Sequence, residues 1–273
     1  MSDPAVILDQ ATLRLGGRDI WKKLSLSIAP GEFVAVLGPN GSGKSSFIKT
    51  LLGLHKPQGT VRVLGESPRD ARRHIGYIPQ QKAFDRDIPL TGRDLVAFGV
   101  TGSRWFGRTT PHAQTQIDKA ITRVGAGRYA NKPLGQLSGG EQQRLRIAQA
   151  IATNPPLLLC DEPLLSLDLA SQGTIARLIN DQCKSGTAVV FVTHEINPIL
   201  PMVDRILYLV GGKWAIGTPQ EILTTERLSQ LYGAPVEVLN VHGRILVAAS
   251  SEAAMTEPHD AHHHHVVHSE ASS

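Results

Sequence analysis

Apolar and polar residues alternate along the first part of the chain. Val6-Ile7-Leu8 reads as one short strand, and Ala11-Thr12-Leu13-Arg14-Leu15 alternates as a half-exposed strand does. Gly16-Gly17-Arg18-Asp19 reads as a turn, and Leu24-Ser25-Leu26-Ser27-Ile28 resumes the alternation. Residues 5 to 35 therefore predict antiparallel strands. The pattern then changes. Phe33-Val34-Ala35-Val36-Leu37 is apolar throughout and ends at a glycine, while Ser46 to Leu52 carries apolar residues at helical spacing. Thr60 to Gly65 and Ile75 to Gln80 read as two further short strands.

From residue 85 to about 150 the β-branched runs stop. Thr91 to Val100 and Ala113 to Val124 have helical spacing, and Thr101 to Pro111 links them through a polar, glycine-rich and aromatic stretch. This predicts a mostly helical subdomain at about 85–150. Leu157-Leu158-Leu159-Cys160 then reads as a central parallel strand, Ala170 to Lys184 as a helix, and Thr187 to Val192 as another buried strand. Arg205 to Val210 and Lys213 to Gly217 suggest a hairpin, and Pro219 to Leu223 and Glu226 to Tyr232 short helices. Val236 to Ala248 alternates again and forms a small C-terminal appendage at about 234–249. Residues 250–273 have few large apolar side chains, which predicts a disordered, histidine-rich tail. Strands separated by helices place the chain in the α/β class with a largely parallel sheet, in one domain spanning 1–249.

The 273 residues are enough for a large core, and 41% of them are hydrophobic. The net charge of +4 comes from scattered lysines and arginines. That calls for no nucleic-acid partner, and a nucleotide would satisfy it. Cys160 and Cys183 are far apart and suggest no disulfide framework. Met1 to Leu8 lacks the basic and apolar regions of a signal peptide, and no run approaches the length of a membrane span. If the protein works at a membrane, another chain crosses it.

Candidate chemistry begins at Gly38-Pro39-Asn40-Gly41-Ser42-Gly43-Lys44-Ser45, which reads G-x-x-x-x-G-K-S between the predicted strand and helix. In such a loop the backbone N–H groups converge on phosphate oxygens, and the following helix adds its positive end. Residues Gly38 to Ser46 are the expected nucleotide-binding segment. Lys44 would reach the β- and γ-phosphates and Ser45 would ligate Mg²⁺. Asp161-Glu162 follows the run Leu157 to Cys160, so the pair stands at the C-terminal end of a buried strand, where ligands sit in parallel sheets. Asp161 would hold Mg²⁺ through water, and Glu162 would polarise an attacking water. Leu137-Ser138-Gly139-Gly140-Glu141 reads as a capped helix start, a second place for an anion.

Together these three motifs resemble the ATP-binding cassette (ABC) ATPases. Gln80 after Tyr77-Ile78-Pro79 looks like the family's Q-loop glutamine, Ser166-Leu167-Asp168 like its D-loop, and His194 after Val192-Thr193 like its switch histidine. The resemblance spans about residues 5 to 235. It implies the ABC ATPase fold: a P-loop NTPase core, an N-terminal antiparallel β subdomain and an inserted helical subdomain. It also implies head-to-tail homodimers in which ATP lies between the P-loop of one copy and Ser138, Gly139 and Gly140 of the other. In that reading Ser45, Gln80 and Asp161 serve Mg²⁺, and Lys44, Glu162 and His194 are catalytic. Asp168 communicates across the dimer, and Gln80 links the nucleotide to the helical subdomain. Leu15 stands where the family usually places an adenine-stacking aromatic, and Trp21 is the nearest aromatic beyond it.

Asp85-Arg86-Asp87-Ile88-Pro89 and Trp105-Phe106-Gly107-Arg108 resemble the branch of ABC importers that takes up zinc or manganese. That branch implies a polytopic membrane permease, an extracytoplasmic metal-binding protein, and a place on the cytoplasmic face of the membrane. Importers of iron chelates or cobalamin share the architecture and are the alternative. Soluble ABC proteins of translation or repair usually carry two cassettes or a long coiled coil, and this chain has one P-loop and no long heptads. The tail places His259, His262 to His265 and His268 close together, a composition that binds Zn²⁺, Ni²⁺ or Cu²⁺ or is merely low-complexity sequence.

Overall fold

The computed structural model describes residues 3–80, 84–102, 110–165 and 167–249. Ser166, the Trp105–Arg108 link and the histidine-rich tail lie outside the described residues.

Strands β1 (Val6–Leu15) and β2 (Arg18–Ile28) pair antiparallel, and β3 (Phe33–Leu37) leads through the glycine loop into α1 (Lys44–Leu51). β4 (Gln58–Val63) pairs antiparallel with β1, giving a three-stranded sheet of order β2-β1-β4. The expected break between Val6–Leu8 and Ala11–Leu15 is not a turn. Gln10 takes a left-handed φ of 49° and bulges one continuous strand. The first turn is also tighter than the spacing predicts, since Arg18 and Asp19 already pair with Leu15 and Arg14.

After α2 (Pro68–Ala71) comes β5 (Ile75–Ile78), then α3 (Gly92–Thr101), α4 (Pro111–Arg123) and α5 (Gly139–Ile151), which pack on one another. β6 (Leu157–Asp161), α6 (Leu169–Lys184) and β7 (Ala188–Val192) follow, then the hairpin of β8 (Arg205–Val210) and β9 (Lys213–Gly217). The main sheet has the order β5-β6-β7-β3-β8-β9, parallel except for the β8–β9 pair. The chain closes with α7 (Pro219–Ile222), α8 (Thr225–Tyr232) and a two-stranded hairpin of β10 (Val236–Val241) and β11 (Arg244–Ala249).

The central strands are apolar on both sides because both faces of the main sheet are covered. Phe33, Ala35 and Leu37 of β3 join Ile117, Leu145 and Ile175 of α4, α5 and α6 in one core. Val34 and Val36 face the other way and join Leu8, Trp21, Phe47 and Ile48. The β3 strand is thus clamped between a helical layer and the antiparallel sheet with α1. Trp21 is fully buried there, edge-on to Phe47 with ring centroids 6.2 Å apart.

Candidate nucleotide site

The loop after β3 needs its glycines for steric reasons. Gly38 has a φ of 143°, and a Cβ there would lie 2.0 Å from the Leu209 carbonyl oxygen. Gly43, at a φ of 101°, would put a Cβ 2.4 Å from Ile20 Cγ2. The chain can pass between β8 and the Ile20–Trp21 edge only with those side chains absent. Lys44, the first residue of α1, folds back under the loop, and its Nζ donates to the carbonyls of Gly38 at 2.7 Å and Pro39 at 3.0 Å. An ammonium has three donors, so one remains for a ligand. Burial pushes Lys44 below the ordinary lysine value, while the Glu162 and Asp161 carboxylates pull it back up. The Ser42 hydroxyl is buried with no hydrogen-bond partner among the described residues. A glycine loop folded over an ammonium, with an unspent hydroxyl beside it, fits a polyphosphate.

The second wall is the carboxyl end of β6. Ser45 Oγ donates to Asp161 Oδ1 at 3.3 Å. Burial raises the Asp161 carboxyl above its ordinary value of 3.8, with the Ser45 hydrogen bond opposing that rise. A hydroxyl and a carboxylate oxygen side by side are the hard donors that Mg²⁺ takes. Glu162 follows at a left-handed φ of 49°, its N–H donating to the Val192 carbonyl at 3.0 Å. That conformation is costly for a residue with a side chain, about 1–3 kcal/mol, and the bond to β7 holds it. The result is a carboxylate turned out of the sheet with its side chain 16% exposed. Two groups converge on its Oε2: Gln80 Nε2, which donates at 3.4 Å, and His194 Nδ1 at 3.8 Å. Gln80 lies just past β5 and His194 just past β7, so four neighbouring strand ends deliver the site.

Ser138 stands apart from this cluster, at the start of α5. Its Oγ accepts from the Glu141 N–H at 3.3 Å, and Glu141 Oε2 accepts from the Ser138 N–H at 2.9 Å, a complete capping box. Ser138 and Gly139 are exposed. A Cβ on Gly140 would lie 3.5 Å from Ser171 Oγ, so this helix start abuts that of α6. Asp168 caps α6, accepting from the Ser171 N–H at 2.9 Å and the Ser171 hydroxyl at 2.7 Å. Leu15 is only partly buried against the second core but has no ring, and Trp21 is sealed within that core, so neither offers an aromatic platform for adenine.

Three amides escaped the sequence reading. Gln142 Nε2 donates to the carbonyls of Leu134 and Leu137, both at 3.1 Å, and fixes the approach to Ser138. Gln143 Nε2 donates to the Pro163 carbonyl at 3.0 Å and ties α5 to the segment just after Glu162. Asn197 reaches the C-terminal hairpin, its carboxamide bonded to Ile245. Gln142 and Gln143 stand in a polar run between Glu141 and Arg144, and Asn197 between Ile196 and Pro198, and neither setting distinguishes a tie from a surface position.

The fold and this cluster define a P-loop nucleotide-binding protein of α/β class. Residues 21–165 match the ABC transporter family. The manganese transport system ATP-binding protein MntB of Halalkalibacterium halodurans is 30% identical over 246 residues, 90% of this chain and 98% of that one. The high-affinity zinc uptake system ATP-binding protein ZnuC of Bacillus subtilis is 37% identical over 195 residues, 70% and 84% of the two chains. Among solved structures, an ATP-binding cassette dimer in a post-hydrolysis state with ADP and Pi superposes with a TM-score of 0.66 at 30% identity, covering 78% of this chain and 98% of that chain. The chain belongs to the ABC transporter family and is its ATP-binding, ATP-hydrolysing subunit.

Proposed function

We propose that this subunit powers the import of a divalent metal ion, zinc or manganese, through separate membrane subunits. The observation that carries the catalytic part is the convergence of Lys44, Ser45, Asp161, Glu162, Gln80 and His194 at neighbouring strand ends. The cargo rests on the relatives, which are named for manganese transport and zinc uptake. Among the described residues no helix is long and apolar enough to cross a membrane, and in this reading a polytopic partner would carry the path for the ion. An extracytoplasmic metal-binding protein would deliver the ion to it, and this chain would sit at the cytoplasmic face.

The loop amides from Gly38 to Ser46 and Lys44 would bind the phosphates. Ser45, Asp161 and Gln80 would hold Mg²⁺, which neutralises phosphate charge when bound. Glu162 orients a water toward the γ-phosphorus and accepts its proton as the bond to the β-phosphate oxygen breaks. His194 faces the same carboxylate and would contact the γ-phosphate. The Ser138-Gly139-Gly140 start, exposed at its first two residues, would close over the nucleotide of a second copy, with Asp168 at the junction of α5 and α6 reporting its presence. The cassette would comprise residues 1–249, with its helical part at about 85–150.

The test is reconstitution with a polytopic permease that co-purifies with this chain, in vesicles loaded with Mg-ATP. The proposal expects ATP consumption and uptake of zinc or manganese that both fail in Lys44→Ala. Uptake of an iron chelate or cobalamin, with none of either metal ion, would refute the cargo.

A further inference from the structure

The segment that carries His194 is held from an unexpected side. Between β7 and Leu200 the chain has no regular structure. Its start is tied to the P-loop strand, because the Thr193 N–H donates to the Val36 carbonyl at 3.2 Å. Ile196 and Ile199 are buried in the first core. Thr193 Oγ1 closes a local turn around the histidine, donating to the Glu195 carbonyl at 2.9 Å and accepting from the Glu195 N–H at 3.1 Å. A long-range anchor is Asn197, three residues beyond the histidine. Its carboxamide pairs with both main-chain groups of one residue in the C-terminal hairpin: Nδ2 donates to the Ile245 carbonyl at 3.0 Å and Oδ1 accepts from the Ile245 N–H at 2.8 Å. A side-chain amide here does what a neighbouring strand would do, on the edge of β11 away from β10. Because Ile245 spends both groups on Asn197, its pairing with Asn240 is the kind that exchanges no hydrogen bonds.

The hairpin is itself pinned at its other strand. Ser229 Oγ of α8 donates to the Val236 carbonyl at 3.1 Å and accepts from the Val236 N–H at 3.0 Å, and the Val238 N–H donates to Thr225 Oγ1 at 3.0 Å. A lone two-stranded hairpin is marginal in water, so α8 and Asn197 together fix its position. That position is beside the phosphate loop. Gly38, Pro39 and Asn40, the stretch from His194 to Asn197, and Ile245 to Val247 line one cleft of about 440 Å³.

We infer that Asn197 is a positioning residue: its two-bond clamp on Ile245 makes the C-terminal hairpin a backstop that holds His194 against Glu162. The side chain of His194 is 52% exposed, and its contact with Glu162 at 3.8 Å is loose. Small displacements of its backbone therefore decide whether it faces the reacting phosphate. The hairpin contributes no group to the chemistry and acts only through this geometry.

The inference rests on the role given to His194 above, and the test separates the two. Steady-state phosphate release is measured on full-length Asn197→Ala, His194→Ala and the double variant. Asn197→Ala is expected to lose about tenfold in kcat with KM for ATP within about twofold, since the phosphate loop is untouched. In the His194→Ala background the same change is expected to cost nothing further, a non-additivity that a merely structural role would not give. Asn197→Asp, which keeps an acceptor for the Ile245 N–H and removes the Nδ2 donor to its carbonyl, is expected to give a smaller loss. It carries the test should Asn197→Ala fail to fold. Wild-type turnover in both clamp variants, or additive losses in the double variant, overturns the clamp while leaving His194 in its role. Wild-type turnover in His194→Ala overturns both.

Discussion

Replacing Glu162 by glutamine tests the catalytic reading with the least disturbance of the fold. The two side chains have the same shape, and the left-handed backbone at φ 49° costs each of them alike. The amide oxygen can still accept from Gln80 Nε2, now at 3.4 Å, and the anchoring bond from the residue's N–H to Val192 does not involve the side chain. What disappears is the charge facing His194 and the ability to take a proton from water. A positioned general base is worth roughly 10²–10⁴-fold, or about 3–5 kcal/mol of barrier. Phosphate contacts come from the loop and Lys44, so ATP affinity should stay within about threefold, a shift under 1 kcal/mol. Steady-state phosphate release and equilibrium nucleotide binding on the same preparation measure the two quantities. A variant that turns over at the wild-type rate refutes the role of Glu162. One that loses ATP binding in step with turnover shows that the carboxylate serves affinity instead.

Three further outcomes are expected. Ser138→Ala breaks the capping box of α5 and should cost about 1 kcal/mol, a drop of about 2–4 °C in thermal midpoint, with ATP hydrolysis lost well beyond what that destabilisation explains; unchanged hydrolysis would remove Ser138 from the site. Burial raises Asp161 above 3.8, so its proton returns on acidification before that of a free aspartate, and the Mg²⁺-dependent part of nucleotide affinity should fall at a pH above that value. Asp161→Asn should show no such pH dependence. For folding the sign is reversed, because the folded chain binds this proton more tightly than the unfolded one and gains stability at this residue as pH falls through the raised value. Both cysteines are buried, with Cys183 pushed up to about 11 by burial and Cys160 pushed higher still. A thiol reagent at neutral pH should therefore label the native protein slowly and both cysteines at once after denaturation; rapid native labelling would contradict the packing of β6 and α6.

The parts of the fold read from sequence were those with a local physical cause. The run Phe33 to Leu37 and the run Leu157 to Cys160 were legible as buried strands because both faces are apolar, and the G-x-x-x-x-G-K-S loop because sterics leave few alternatives. The bulge at Gln10 was not legible. A glutamine has no preference for a left-handed backbone, and two strands on either side of β1 impose it. Trp21 posed a similar difficulty, since nothing near it in sequence says whether its ring meets a ligand or Phe47. The joining of Gln80, Glu162 and His194 was anticipated only through resemblance. The partnership of Asn197 with Ile245 was missed because it links a loop to a hairpin far along the chain.

The position of β3 in the main sheet has a consequence for how the protein is made. Its partners on either side are β7 and β8, which begin at Ala188 and Arg205, so the strand that presents the phosphate loop has no neighbour until most of the chain has been synthesised. Until then five consecutive apolar residues wait unpaired on a nascent polypeptide. Pairings this distant in sequence close slowly and leave sticky strand edges exposed meanwhile. The segment that will grip nucleotide earliest in the sequence is thus among the last to be built in space. A ribosome-bound chain that ends before β8 should be a client for chaperones and blind to ATP.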